Sequence, residues 1–153
     1  MRPEPRPRLQ RLTVGAPILV SMDPEVESAL EAASLSRAER RTIARFLALL
    51  GGRLGGDLKA VWLYGSRARG TRHEGSDVDL LVIAEGDTER NQRLALDLSE
   101  AAALAEDESP FLYSVAVHDR AWLDGRRRIE SFFIAEVDRD KLVLTGGALE
   151  GTR

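Results

Sequence analysis

Two short apolar runs enclose a Gly-Ser turn and an Asp-x-Asp pair, and this arrangement constrains the fold more than any other part of the chain. The first run, residues 59–64, is rich in strand-forming residues and leads directly into Gly65 and Ser66. Ten residues separate Ser66 from Asp77, and Asp77 and Asp79 open the second apolar run. The pattern therefore predicts two buried strands with polar groups where the chain turns between them.

Each polar residue of this pattern suits the binding of a charged ligand. Gly65 allows a tight turn and a close approach of the main chain to a ligand. Ser66 is predicted to cap a short helix whose free N–H groups favour phosphate oxygens. On a strand, the two-residue spacing puts the carboxylates of Asp77 and Asp79 on one face. Mg²⁺ is their natural counter-ion, because it binds one or two carboxylates together with substrate phosphates. The pattern therefore indicates phosphoryl transfer from a triphosphate.

Residues 65–70 and 76–82 together resemble the signature of the minimal nucleotidyltransferases, within the DNA polymerase β-type nucleotidyltransferase superfamily. The resemblance implies an α+β nucleotidyltransferase fold, in which helices pack on a small mixed β-sheet. It also implies that Gly65 and Ser66 hold the nucleoside triphosphate, with ATP the expected one. Asp77 and Asp79 would hold Mg²⁺ and carry the catalysis.

Three arginines follow the Gly-Ser turn, namely Arg67, Arg69 and Arg72. Their guanidinium groups are able to neutralise a triphosphate by bidentate contacts. They are equally well explained as solvated charges of a loop. Arg67 is the best nucleotide-binding candidate of the three, because it directly follows Ser66.

The third carboxylate that the resemblance implies is not evident in the sequence. Active members of the superfamily carry an acid on the strand after the long helix, where it shares the metal and acts as general base. The strand predicted there, residues 111–117, contains no acid, and Ser114 is its only small polar residue. Asp107, Glu108 and Asp119 flank the strand, and Asp119 is better explained as a helix N-cap. The sequence therefore names no residue that deprotonates the acceptor.

The resemblance implies a Mg²⁺-dependent enzyme that moves a nucleoside monophosphate from NTP onto a hydroxyl group. Proteins of this kind often pair with a helical HEPN-type partner as antitoxin and toxin, the nucleotidyltransferase being the antitoxin. The acceptor hydroxyl is then expected on the partner protein. The alternative is a catalytically weak or inactive protein of the same fold that neutralises a partner by binding it.

Composition narrows the class of protein. The chain has 153 residues, which suits one domain with a sizeable core. Its 22 basic and 25 acidic residues give a net charge of −3, which suits a cytoplasmic protein and does not indicate a dedicated nucleic-acid binder. The lack of cysteine excludes disulfides and thiol catalysis, and two histidines exclude a His-rich metal site. No apolar run approaches membrane-spanning length.

The predicted organisation is a flexible N-terminal extension over residues 1–21 and a nucleotidyltransferase domain over residues 22–153. Residues 1–11 are rich in Arg and Pro, which predicts disorder, and a short edge strand is expected at 18–20. Met22 is an alternative true start. Within the domain, a first helix is predicted to begin at Asp23, and a second runs from the Ser36-x-x-Glu39 capping box to about residue 50. A third helix is predicted from Asp87 to about residue 105, and two more over 119–123 and 127–137. Further strands are predicted over 111–117 and 141–144.

Overall fold

The structure is a computed structural model of the chain, and it describes residues 24–71 and 76–150. The predicted N-terminal extension, with its edge strand at 18–20, lies outside the described residues. So do the predicted N-cap Asp23 and the loop residue Arg72.

The described residues form helices and one mixed sheet, as the sequence predicted, so the α+β fold is confirmed. None of these helices combines the length and the apolar character needed to cross a membrane. The helices are α1 (Pro24–Ala32), α2 (Arg37–Leu54), α3 (Ser66–Arg69), α4 (Thr88–Ala105), α5 (Arg120–Arg128) and α6 (Phe132–Asp140), and the strands are β1 (Leu58–Tyr64), β2 (Val78–Ala84), β3 (Tyr113–His118) and β4 (Leu142–Thr145).

The sheet has the strand order β3-β2-β1-β4. Strand β1 is antiparallel to both β2 and β4, whereas β2 and β3 are parallel. A parallel pair needs a long crossover connection, and α4 supplies it. The pairing register puts Asp79 opposite Tyr64 of β1 on one side and opposite Ser114 of β3 on the other.

Alternation along β2 divides the core into two clusters, one on each face of the sheet. Leu80 and Val82 pack on the face that α1, α2 and α4 cover. Leu81 and Ile83 pack on the other face, under α5 and α6. Asp79 shares this second face and lies near its end. The strand pattern thus holds a carboxylate at the edge of an apolar layer.

Helix α2 begins as predicted and ends later than predicted. The side chains of Ser36 and Glu39 form the reciprocal capping box that the sequence indicated. Gly51 and Gly52 do not end the helix, which continues to Leu54. It ends at Gly55, whose φ of 53° turns the chain out of the helical path.

Helix α4 confirms its predicted Asp87 cap and corrects its predicted buried face. The apolar pattern of the sequence predicts a face of Leu94, Leu98, Ala101 and Ala105. Leu98 does pack against the core, but Ala101 is exposed and the buried residues are Asn91, Ala95, Ser99, Ala102 and Ala103. Gln92 explains this rotation. Its side chain donates to the Val115 carbonyl and accepts from the Val117 amide, both at 2.8 Å. These bonds tie one face of the helix to the edge strand.

The predicted break between the last two helices is misplaced. The structure puts it at residues 129–131, where Glu130 has a φ of 52°. The three arginines 126–128 therefore end α5 instead of opening a helix. Cations are favourable at a helix C-terminus, so the observed break agrees better with the helix dipole.

The segment after β4 folds back across Trp62. The indole Nε1 of Trp62 donates to the Gly147 carbonyl at 2.8 Å, and the Lys141 ammonium lies 4.0 Å from the centre of the ring. Gly146 has a φ of 78°, and a Cβ there would lie 1.7 Å from the Lys59 carbonyl oxygen. Only glycine fits this crossing.

We predict that Gly146→Ala destabilises the protein much more than Gly147→Ala. Both glycines have a positive φ, which costs an alanine roughly 1–2 kcal/mol. A Cβ at Gly147 meets nothing within 4 Å, whereas at Gly146 it overlaps the main chain of β1. Urea unfolding should therefore show a loss above about 2 kcal/mol for Gly146→Ala only. Equal losses would contradict the close crossing.

Candidate active site

The Gly-Ser turn and the second aspartate of the motif meet in space, as the sequence predicted. Gly65 has a φ of 75°, and a Cβ built there would lie 2.4 Å from Oδ2 of Asp79. The glycine therefore lets the main chain lie directly against the carboxylate. Gly65, and not Ser66, is the N-cap of α3. Ser66 is the first residue of that helix, and no hydrogen bond within the described chain engages its hydroxyl.

Asp77 and Asp79 occupy different settings although they are two residues apart. Asp79 lies on β2 and is partly buried, while Asp77 precedes the strand and is exposed. The apolar neighbours Val78 and Leu80 point into the core, as predicted. Among residues 24–71 and 76–150, no side chain donates a hydrogen bond to either carboxylate. The pair is therefore free to accept a ligand.

The Asp79 carboxyl lies in a setting that disfavours its charge. Burial and the nearby negative charge of Asp77 raise its pKa above the usual range, and the charges of Arg69 and Arg67 only partly offset this. Burial and the charge of Asp79 likewise raise the pKa of Tyr64. A group of this kind is stabilised by a cation, which reverses both unfavourable contributions.

The strand beside Asp79 carries no third acid. Ser114 is the residue paired with Asp79 across the parallel strands, and it is exposed. The side chain of Asp119 accepts a hydrogen bond of 2.8 Å from the Trp122 amide, so it caps α5 as predicted. In the part of the chain that the structure describes, no group of three or more His, Cys, Asp or Glu side chains is arranged to hold a metal.

Two carboxylates are still a fitting donor set for a magnesium ion. Mg²⁺ retains several waters and takes one or two protein carboxylates, the remaining ligands being substrate phosphates. Asp77 and Asp79 supply hard oxygen ligands of this kind, and the charges of Arg69 and Arg67 compensate the Asp79 carboxylate only in part, so its pKa stays raised. The residues present therefore fit a metal shared with a nucleotide better than a metal held by protein alone.

Arg67 does not face the site in the way predicted for a nucleotide-binding residue. Its side chain is 3% exposed and forms a salt bridge of 2.8 Å with Glu39. The same nitrogen, Nη1, also donates to the Ser34 carbonyl, and Nε and Nη2 donate to two oxygen atoms of Ser76. These contacts argue against a phosphate-binding role for Arg67. Its pairing with Glu39 spans 28 positions, and no local pattern in the sequence signals it.

Of the two motif arginines that the structure describes, Arg69 is the more accessible. Its side chain is 42% exposed, and its only ion pair within the described chain is a long one, 3.7 Å from Nη1 to Oδ2 of Asp140. It lies near enough to Asp79 for its charge to lower the pKa of that carboxyl. The sequence ranked Arg67 above Arg69 on adjacency alone. Burial reverses that ranking.

An aromatic pair adjoins the carboxylates and was not assigned to the site from the sequence. The rings of Tyr64 and Phe133 meet edge to face, with centroids 5.6 Å apart. Tyr64 is the strand neighbour of Asp79, and Phe133 remains 42% exposed. The contact packs the end of β1 against α6.

Comparison with known proteins gives one family match. The family model described as nucleotidyltransferase domain matches residues 43–134, more than half of the chain and the whole of the site. No curated protein matches. Two similar solved structures are a toxin–antitoxin with AMP-PNP (20% identity, 67% of this chain and 72% of that chain, TM-score 0.42) and a proposed nucleotidyltransferase from Sulfolobus solfataricus (17% identity, 81% and 89%, TM-score 0.41). These likenesses are too distant to assign an activity.

We predict that Gly65→Ala weakens the binding of divalent metal and that Gly70→Ala does not. Both glycines have a positive φ, 75° and 74°, but ψ is −160° at Gly65 and 16° at Gly70, so alanine strains the backbone more at Gly65 and the folded fraction of each variant must be checked first. Only the Cβ at Gly65 displaces the Asp79 carboxylate, because a Cβ at Gly70 meets nothing within 4 Å. Calorimetric titration with Mn²⁺ should show about a 10-fold loss for Gly65→Ala. Equal affinities for both variants would show that Asp79 is not a ligand.

We also predict that Asp79→Asn stabilises the metal-free protein at neutral pH. Because the folded-state pKa of Asp79 is raised, the native state keeps this proton to higher pH than the unfolded chain does. The ionised carboxylate therefore lowers stability as pH rises through that pKa. Thermal unfolding in EDTA should favour the variant by a few tenths of a kcal/mol at about pH 8 and show little difference at about pH 4. A less stable variant at the higher pH would overturn this account.

Proposed function

The chain belongs to the nucleotidyltransferase domain family, and on this premise we propose that it transfers a nucleoside monophosphate from an NTP to a hydroxyl group in a Mg²⁺-dependent reaction. The observation that carries the proposal is the contact of Gly65 with the partly buried, donor-free carboxylate of Asp79. The domain that performs the reaction is proposed to span residues 22–153. ATP is the proposed donor, and the cytoplasm is the proposed location.

In this proposal one end of the motif binds the metal and the other end binds the phosphates of the NTP. Asp77 and Asp79 hold the metal, which when bound neutralises the phosphates and polarises the α-phosphate. Gly65 and Ser66 donate hydrogen bonds to the remaining phosphate oxygens, since no hydrogen bond within the described chain engages the Ser66 hydroxyl and the glycine allows close approach. Arg69 replaces Arg67 as the proposed cationic contact, because it is exposed and lies near Asp79.

The transfer itself forms one bond and breaks one. The acceptor oxygen bonds to the α-phosphorus, the bond from that phosphorus to the bridging oxygen breaks, and pyrophosphate leaves with the electron pair. The hydroxyl proton must pass to a base or to water. Ser114 stands where an acidic base would be paired with Asp79. A positioned base contributes about 10²- to 10⁴-fold, so we expect slow transfer that relies on positioning.

The acceptor is proposed to be a hydroxyl group on a protein partner, of the HEPN type that the sequence resemblance implies. Several large apolar side chains of the chain are exposed, which is typical of interaction surfaces. Phe111 is 92% exposed and Phe132 is 79% exposed. Phe132 begins α6 beside Phe133, whose ring contacts Tyr64 next to the carboxylates. A partner on this side would lie close to the site.

One observation favours a second candidate function. The absence of an acid at Ser114, the position paired with Asp79, would suit a protein of this fold that neutralises a partner by binding alone. In that case the nucleotide would be bound without being transferred. The two candidates differ in turnover and agree in nucleotide binding.

We predict that NTP binding requires a divalent metal. Asp77 and Asp79 repel the phosphates unless a cation lies between them. Calorimetric titration with ATP should give measurable affinity with Mg²⁺ and none with EDTA. The double variant Asp77→Asn, Asp79→Asn should lose metal-dependent binding and stay folded by circular dichroism. Equal affinity for ATP in EDTA would contradict a site in which a metal bridges the carboxylates and the phosphates.

We predict that Ser114→Asp raises the rate of transfer. The substitution places a carboxylate at the position paired with Asp79, where it is able to accept the hydroxyl proton and share the metal. Label transfer from α-labelled ATP to a co-expressed partner should increase by about 10-fold or more. Ser114→Asn is the matched control, because the asparagine side chain has the size of aspartate and carries no charge. No transfer by any variant, with a tight native complex, would select the binding candidate.

A further inference from the structure

The Arg67 side chain is the most heavily engaged polar group of the motif. Nη1 donates to Oε1 of Glu39 at 2.8 Å and to the Ser34 carbonyl at 3.1 Å. Nε donates to the Ser76 hydroxyl at 3.1 Å, and Nη2 donates to the Ser76 carbonyl at 2.9 Å. Nη1 thus binds residues at the start of α2, and Nε and Nη2 bind Ser76, which lies next to Asp77 in the chain.

The α2 side of this contact is rigid. Oε1 of Glu39, which accepts from Arg67, also accepts from the Ser36 amide at 2.7 Å within the capping box. Burial alone would raise the pKa of Glu39, but the hydrogen bond from Arg67 holds it below its usual value. The main chain adds a further tie, since the Ser34 amide donates to the Arg67 carbonyl at 2.9 Å. Arg67 is therefore fixed before any ligand binds.

The Ser76 side of the contact determines where Asp77 lies. Ser76 directly precedes Asp77, and Arg67 holds both its hydroxyl and its carbonyl. No described side chain bonds the Asp77 carboxylate itself, and Asp77 lies outside the sheet pairing. The pairing of β2 fixes the position of Asp79, whereas no strand pairing fixes Asp77. The two hydrogen bonds from Arg67 to Ser76 hold the main chain directly before Asp77.

We propose that Arg67 is a positioning residue that holds Asp77 at the metal site through Ser76. The proposal rests on the proposed function only where it treats Asp77 as a metal ligand. Fixing Asp77 before binding removes the cost of ordering it when the metal arrives. The planar fork of arginine makes several directed contacts at once, which a lysine ammonium on a flexible stem does not reproduce.

The first test compares Arg67→Lys with Arg45→Lys by Mn²⁺ titration in the presence of ATP. Arg45 is the matched control, because its Nη2 donates to Glu106 at 2.9 Å in another ion pair of α2, and that pair joins α4 instead of the motif. Arg67→Lys should bind Mn²⁺ about 10-fold more weakly, as expected when a group supporting a ligand is altered. Arg45→Lys should lose stability and keep its Mn²⁺ affinity.

Ser76→Ala provides a second variant that leaves the buried ion pair intact. It removes the hydroxyl contact with Arg67 Nε and keeps the carbonyl contact, so Mn²⁺ affinity should fall by a smaller factor, about 3-fold. Unchanged Mn²⁺ affinity in both Arg67→Lys and Ser76→Ala would overturn the proposal and make Arg67 purely structural.

A metal-free readout separates this proposal from the proposed function. Backbone ¹⁵N order parameters of residues 76–78 should fall in Arg67→Lys and Ser76→Ala and stay at native values in Arg45→Lys. If the native chain fails to bind Mn²⁺ with ATP present, the proposed function fails, and the order parameters alone decide whether Arg67 fixes this segment. Order parameters unchanged in Arg67→Lys would overturn the positioning role.

Discussion

The buried pair of Arg67 and Glu39 is the interaction on which the rest of the site depends. Both side chains are almost fully buried, and their charges meet at 2.8 Å. Glu39 also belongs to the cap of α2, and Arg67 belongs to the short helix after the Gly-Ser turn. Removing one partner of a buried pair leaves an uncompensated charge, which typically costs about 3–5 kcal/mol. This ion pair, with the hydrogen bonds between Arg67 and Ser34, thus joins the helical layer to the motif.

The site that this pair supports contains an unfavourable interaction, the repulsion between the carboxylates of Asp77 and Asp79. The sheet holds Asp79 in a partly buried position near Asp77, and burial and repulsion raise the pKa of Asp79. Gly65 lies against the same carboxylate, and a side chain at this position would overlap it. In the proposed function, a divalent cation bound with a polyphosphate relieves this repulsion. The cost to the metal-free fold would then contribute to the affinity for the ligand.

Local patterns in the sequence were sufficient to predict much of this arrangement. The capping box of α2 and the caps at Asp87 and Asp119 each involve residues three positions apart, so the sequence displays them directly. The approach of Gly65 to Asp79 follows from two adjacent strands joined by a turn. Contacts distant in sequence were not predictable. The pairing of Arg67 with Glu39 and the rotation of α4 by Gln92 depend on how helices dock on the sheet.

The central claim is that a metal and a nucleotide bind where Gly65, Asp79 and Ser114 meet. Paramagnetic broadening of amide resonances by Mn²⁺ in the presence of ATP tests it most directly, because broadening falls steeply with distance from the ion. The account predicts that the amides of these three residues broaden first, while that of Trp122 in α5 stays sharp. Broadening centred on any other acidic group, such as Asp97 or Asp124, would contradict it.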